Sequence, residues 1–89
     1  MSGELDRQRI DRWLWHARLV RTRDAAAALA GSGHVRVNGA RIAVPGRMVR
    51  GGDVITVALE RNVRVLKVKA FANRRGPAGT AAHLYEELT

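Results

Sequence analysis

The chain has 89 residues, enough for one compact domain but too few for a catalytic domain beside a recognition domain. Sixteen Lys and Arg, fourteen of them Arg, oppose eight acids to give a net charge of +8 and a pI near 11.6. Cysteine is absent, which excludes disulfides, thiolate zinc sites and cysteine nucleophiles. Apolar residues make up 46% of the chain and aromatics 4%, so a folded core must be filled largely by Ala, Val and Leu. The N-terminus, Met1-Ser-Gly-Glu-Leu-Asp-Arg, lacks the apolar stretch of a signal peptide, and no lipidation motif or long apolar run follows. A cytoplasmic protein without membrane attachment is expected.

Residues 1–8 read as an N-terminal tail. From Arg9 to about Arg18, Ile10, Trp13, Leu14 and Ala17 fall at i, i+3, i+4 and i+7, the stripe of a helix facing a core. Trp15 lies off that stripe, either packed beneath the C-terminal segment around Leu84 and Tyr85 or free to stack on a base. After Leu19-Val20-Arg21, Thr22 is placed to cap a second helix with Asp24 in its first turn. Ala25 to Ala30 favours helix, with Ala26, Leu29 and Ala30 as its packing face, until Gly31-Ser32-Gly33 ends it.

The period then changes. Val35-Arg36-Val37 alternates as a strand does, and Asn38-Gly39 is a strong two-residue hairpin signal because both positions must adopt positive φ. Ala40 to Val44 is the expected return strand, closed by Pro45-Gly46. Gly51-Gly52-Asp53 turns into a strand from Val54 to Leu59. From Arg64 to Phe71, Leu66, Val68 and Ala70 point inward while Val65, Lys67 and Lys69 point outward. A basic loop, Asn73 to Gly79, leads to Thr80–Leu88, which can form a short helix with Leu84, Tyr85 and Leu88 on one side. The reading is an α+β fold: two short helices packed on a small antiparallel sheet, with a short C-terminal helix.

Catalytic and metal-binding chemistry has little support. His16, His34 and His83 lack ligand spacing, and no acid pair completes a set. The short glycine segments lack the lysine of a phosphate-binding loop, and neither serine sits in a motif that activates it. No cofactor and no enzymatic activity are expected. Arg9, Arg12, Arg18, Arg21 and Arg23, by contrast, fall within fifteen residues spanning the first helix, the connection and the second helix. An excess of one sign at this density favours a polyanion ligand over a merely solvated face, and guanidinium suits phosphate forks.

The run Gly33-His34-Val35-Arg36-Val37-Asn38-Gly39, preceded by Thr22-Arg23 and an alanine-rich helix, resembles the RNA-binding domain named after ribosomal small-subunit protein S4. Arg9-Ile10-Asp11-Arg12-Trp13-Leu14-Trp15-His16-Ala17-Arg18 with Arg21-Thr22-Arg23 is similar to the subfamily of fifteen-kilodalton bacterial heat-shock proteins. Gly52-Asp53-Val54, Arg74-Arg75-Gly76-Pro77 and Leu84-Tyr85-Glu86-Glu87 extend the likeness to nearly the whole chain. The resemblance implies an "alpha-L" unit of two helices and a hairpin that grips structured RNA, with the RNA-binding domain at 9–72 and a basic loop and helical segment at 73–89. It further implies binding to rRNA and tRNA on the large ribosomal subunit when a stalled nascent chain remains as peptidyl-tRNA, in ribosome-associated quality control and the heat-shock response. By motif position, Arg9, Arg12, Arg18, Arg21, Arg23, His34 and Arg36 are the implied RNA-binding residues, with Asn38 and Gly39 shaping the turn. The resemblance departs at one point: relatives often carry a further basic C-terminal extension, whereas this sequence reads to Thr89 after two glutamates, so the resemblance carries over no contact made by that extension. The same fold directed at another structured RNA, such as precursor rRNA during assembly, is the alternative. High net charge points to a monomer.

Overall fold

The computed structural model describes residues 6–89, and two helices and a sheet enclose one core. Strand β1 (Arg7–Arg9) leads directly into helix α1 (Ile10–His16), and helix α2 (Arg23–Gly31) packs against α1. Strands β2 (Val35–Val37), β3 (Ala40–Arg41), β4 (Met48–Arg50), β5 (Val54–Ala58) and β6 (Val63–Val68) follow. Helix α3 (Ala78–Ala81) continues through a tight turn at Ala82–Leu84 into strand β7 (Tyr85–Glu87).

The main sheet is antiparallel in the order β3-β2-β5-β6-β7. Its register places Val35 opposite Val57, Val37 opposite Ile55, and Ile55 opposite Leu66. These side chains, with Val68, are at most 1% exposed, so one face of the sheet is a continuous aliphatic layer. The apolar stripe of α1 lies in the same core: Ile10, Trp13 and Leu14 are fully buried and Ala17 nearly so. The expected alternation of β6 holds, with Leu66 and Val68 buried and Lys67 and Lys69 exposed.

Trp13 is the largest fully buried side chain of this core. Its indole N–H donates to the Ala70 carbonyl at 3.2 Å, and its ring meets Tyr85 edge-on at a centroid distance of 6.4 Å. The hairpin turn is as expected: Asn38 and Gly39 have φ of 52° and 86°. The Asn38 side chain also ties the hairpin to the next turn, accepting from the Val54 N–H at 2.8 Å and donating to Asp53 at 3.1 Å.

Three short elements depart from the expectations. Arg7 and Gln8, in the segment read as a tail, belong to β1, which pairs antiparallel with β4; residues 1–5 of that tail lie outside the described residues. The return strand of the hairpin is shorter than expected, ending at Arg41 rather than Val44. The segment Thr80–Leu88 is helical only at its start, then extends as β7 along β6. The cause is non-local. The open edge of β6 needs backbone partners, and Leu88 N–H donates to the Val65 carbonyl at 2.8 Å. Glu87, which a helix dipole would disfavour at a C-terminus, pairs instead with Arg64 across the strands.

His16 is buried, at 2% exposure, and its Nδ1 has no hydrogen-bond partner among the described residues. Burial pushes its pKa down, and the positive charges of Arg12, Arg23 and Arg75 push the same way, while a hydrogen bond with the Ala72 backbone opposes them.

Two stability predictions follow from this core. Trp13→Ala removes the central ring and orphans the Ala70 carbonyl, so it should destabilise the fold by about 3–5 kcal/mol in denaturant titration, as for other buried aromatics. For His16, the unfolded chain binds more protons than the folded one once pH falls below the ordinary value of 6.5. The stability held by neutral His16 is therefore complete above that pH and drains away below it. Thermal unfolding should show a lower Tm at acidic than at neutral pH, and His16→Gln should flatten this dependence.

Candidate RNA-binding surface

The α1–α2 connection exposes Arg18 and Arg21 yet is held by specific hydrogen bonds on both sides. Helix α1 ends in a reversed cap in which Arg18 N–H donates to the Trp15 carbonyl at 3.1 Å and Leu19 N–H to the Leu14 carbonyl at 3.1 Å. This cap requires a left-handed residue after the helix, and Arg18 occupies it with φ of 62°. Glycine is the residue that takes this conformation without strain, and an arginine there costs about 1–2 kcal/mol. Leu19 and Val20 then pack against the core. Thr22 caps α2 as expected, its hydroxyl accepting from the Ala25 N–H at 3.0 Å.

The basic loop after β6 closes over this connection. Arg75 donates to the Trp15 carbonyl at 3.1 Å and to the Val20 carbonyl at 3.2 Å, while Arg18 donates to the Gly76 carbonyl at 2.9 Å. The guanidinium groups of Arg23 and Arg75 lie 5.8 and 5.7 Å from the centre of the half-buried Trp15 ring, within cation–π range. Trp15 is thus flanked by arginines. Tyr85, one of the residues expected to cover it, packs on Trp13 instead. The Trp15 ring also lies 5.3 Å from that of His16, whose lowered pKa registers the charges of Arg12, Arg23 and Arg75 together.

The seven residues expected from sequence therefore divide. Arg12, Arg18, Arg21 and Arg23 are exposed on or beside the α1–α2 connection. His34 and Arg36 lie beyond the far end of α2, on the outward face of the sheet. There they line an open groove of about 250 Å³ with Gly33, Arg41 and Thr56. The His34 ring is hydrogen-bonded to Ser32 at 2.6 Å and Arg36 donates to the Gly39 carbonyl at 3.3 Å, so both side chains are oriented. Arg9 stands apart at the start of α1, where it forks onto Asp11 with contacts of 3.1 and 2.8 Å. That pairing raises the pKa of Arg9 and sets a carboxylate directly against its half-exposed guanidinium.

Two residues of this surface were not anticipated. Arg41 sits directly opposite Arg36 in the β2–β3 register, a position that follows from counting outward from the two-residue turn at Asn38-Gly39. Arg75 bridges to carbonyls 55 and 60 residues earlier, and no local pattern encodes such a contact. Among the described residues no cluster of metal-ligating side chains exists, and no helix is long and apolar enough to cross a membrane.

Comparison with known proteins agrees with this architecture. The S4 domain family matches residues 8–55, which includes α1, α2 and the hairpin. Heat shock protein 15 of Escherichia coli is 39% identical over 79 residues, covering 89% of this chain and 59% of that protein, so the chain spans about three-fifths of that relative's length. The small ribosomal subunit protein uS4 of a Ruegeria species is 40% identical over 79 residues, covering 86% of this chain and 38% of that one. The solved structure of Vibrio cholerae heat shock protein 15, described as trimeric, superposes with a TM-score of 0.85 at 33% identity, covering 92% of this chain and 82% of that one. A family match over more than half the chain and a structural likeness over 92% of it lead to one conclusion: the chain belongs to the S4 domain family, with heat shock protein 15 among its relatives.

Proposed function

We propose that this protein binds structured RNA, and that its target is the rRNA and tRNA of a large ribosomal subunit left carrying a stalled nascent chain. In that role it acts in ribosome-associated quality control and the heat-shock response, in the cytoplasm, by binding alone and without a chemical step. One observation carries the reading: exposed arginines gather at a connection whose backbone is pinned by reciprocal hydrogen bonds from Arg18 and Arg75. Structured RNA presents phosphates and riboses in a fixed shape rather than readable base edges, and a rigid cationic surface suits that ligand. The strain at Arg18 supports the same view, since a residue chosen only to end α1 would be glycine.

In this proposal Arg12, Arg18, Arg21 and Arg23 form the principal contact, and His34 and Arg36 form a second one reached along the sheet. Arg9 serves chiefly to set the start of α1 through Asp11. Residues 9–72 are the RNA-binding domain, and 73–89 brace it. The likeness to ribosomal protein uS4 favours a second reading, in which the target is precursor rRNA during subunit assembly. Self-repulsion at +8 favours a monomer as the binding form, and mass measurement in solution decides between that and the trimer described for the Vibrio relative.

Co-sedimentation at low and physiological salt tests the target. Large subunits holding peptidyl-tRNA should retain the protein when small subunits and whole ribosomes do not. Equal binding to all particles, lost as salt rises, would rule out the quality-control role. Arg18→Glu and Arg23→Glu should each weaken binding across RNA sequences and flatten its log–log salt dependence by about 1 or more, while circular dichroism stays that of the folded protein. Unchanged affinity at physiological salt in both variants would move the contact surface elsewhere.

A further inference from the structure

The β1–β4 ribbon carries charge that the α1–α2 surface does not use. Arg7 and Arg50 stand directly opposite one another in the antiparallel register, and both are exposed. Like charges placed opposite across a strand pair weaken the pairing. Nothing in the packing requires them, because the residues the ribbon buries are Gln8 and Val49, on its other face. Among the described residues the ion pairs are Arg9 with Asp11 and Arg64 with Glu87, so within that set neither the Arg7 nor the Arg50 guanidinium is paired with an acid, Asp53 accepting instead from the Arg50 backbone N–H at 2.9 Å. Their neighbours are engaged. Arg9 holds Asp11, and Arg47 donates to the Met48 carbonyl at 2.6 Å.

The ribbon is also firmly placed. Ile10 N–H donates to the Arg47 carbonyl at 2.8 Å and Asp11 N–H to the Pro45 carbonyl at 3.2 Å, which fix the loop before β4 to the start of α1. Gln8 donates to the Ala72 carbonyl at 2.9 Å, which fixes β1 to the chain beyond β6. Arg7 and Arg50, both exposed, are therefore held opposite one another by backbone register.

We propose that the β1–β4 ribbon is a further phosphate-contacting surface, apart from that of His34 and Arg36, with Arg7 and Arg50 neutralising the sugar-phosphate backbone of the RNA held at the α1–α2 connection. The inference rests on the RNA-binding reading above and extends it to residues outside that surface. The two surfaces lie at opposite ends of α1, whose seven residues span roughly 10 Å at 1.5 Å each, a separation that a single folded RNA would span in this proposal. Guanidinium forks match phosphate oxygens in geometry as well as charge. A bound phosphate would also relieve the repulsion that the ribbon register imposes.

The test uses the whole chain and a fluorescently labelled RNA stem-loop, with affinity measured by anisotropy across a salt series. The proteins compared are wild type, the double variant Arg7→Gln/Arg50→Gln, and Arg23→Glu. The double variant should bind more weakly, with a log–log salt slope shallower by about 1.4–1.8, from roughly 0.7–0.9 per lost phosphate contact. Its Tm should equal or exceed that of wild type, because the opposed charges are gone. Wild-type affinity and slope in the double variant, alongside impaired Arg23→Glu, would overturn the ribbon surface and leave the RNA-binding reading standing. Weaker binding accompanied by a lower Tm would mark a folding effect and overturn the proposal too. No binding of the stem-loop by wild type would remove the RNA-binding reading and this inference together. Arg7- and Arg50-dependent binding to phosphatidylserine vesicles in place of the stem-loop would assign the ribbon to a membrane and overturn its assignment to RNA.

Discussion

The Trp13 indole ties α1 to the sheet on which the rest of this small protein is arranged. It sits fully buried on α1, donates to the carbonyl of Ala70 just beyond β6, and meets the ring of Tyr85 on β7. In a chain with 4% aromatic residues, no other side chain of its size is fully buried. A domain of this length buries a modest share of its surface, so one ring of this area is a large part of its apolar burial. Because the indole N–H is satisfied by a specific carbonyl, the burial also sets how α1 sits on the sheet. The arginines of α1 and its connection inherit their directions from that placement.

The charged surface is built against local preference. Arg18 occupies a left-handed position where glycine is the relaxed choice. Arg36 opposes Arg41 and Arg7 opposes Arg50 across strand pairs, where like charges repel. His16 is buried neutral among cations that would resist its protonation. The left-handed arginine and the opposed like charges each cost stability in the free protein. The distribution fits a protein whose charges are arranged for a partner, whereas an arrangement for the folded state alone would mix signs and place glycine at the cap.

Rigidity matters here as much as charge. The α1–α2 connection would be a mobile loop if its carbonyls faced water, but Arg75 takes two of them and Arg18 returns a bond to Gly76. The loop after β6 is thus a brace for the principal surface, and it contributes its own exposed Arg74 beside it. A surface held in one shape loses little conformational entropy on binding, so more of the phosphate contact energy appears as affinity.

Local patterns fixed a good deal in advance. The stripe of Ile10, Trp13, Leu14 and Ala17 specified a buried helix face, Thr22 a cap, and Asn38-Gly39 a two-residue turn, because each depends on residues within one or two turns of each other. The cluster of arginines between Arg9 and Arg23 was equally legible, since it is a matter of composition. What the sequence by itself did not determine was how those arginines divide: Arg9 is drawn to Asp11, Arg18 and Arg75 brace the connection, and Arg36 finds Arg41 on another face. Nor did it determine that Thr80–Leu88 would end as a strand on β6, or that β1 would meet β4 some forty residues away. These were decided by tertiary structure alone, because open sheet edges and unpaired carbonyls take whatever partner the fold brings near, and short segments with weak local preference yield to that demand.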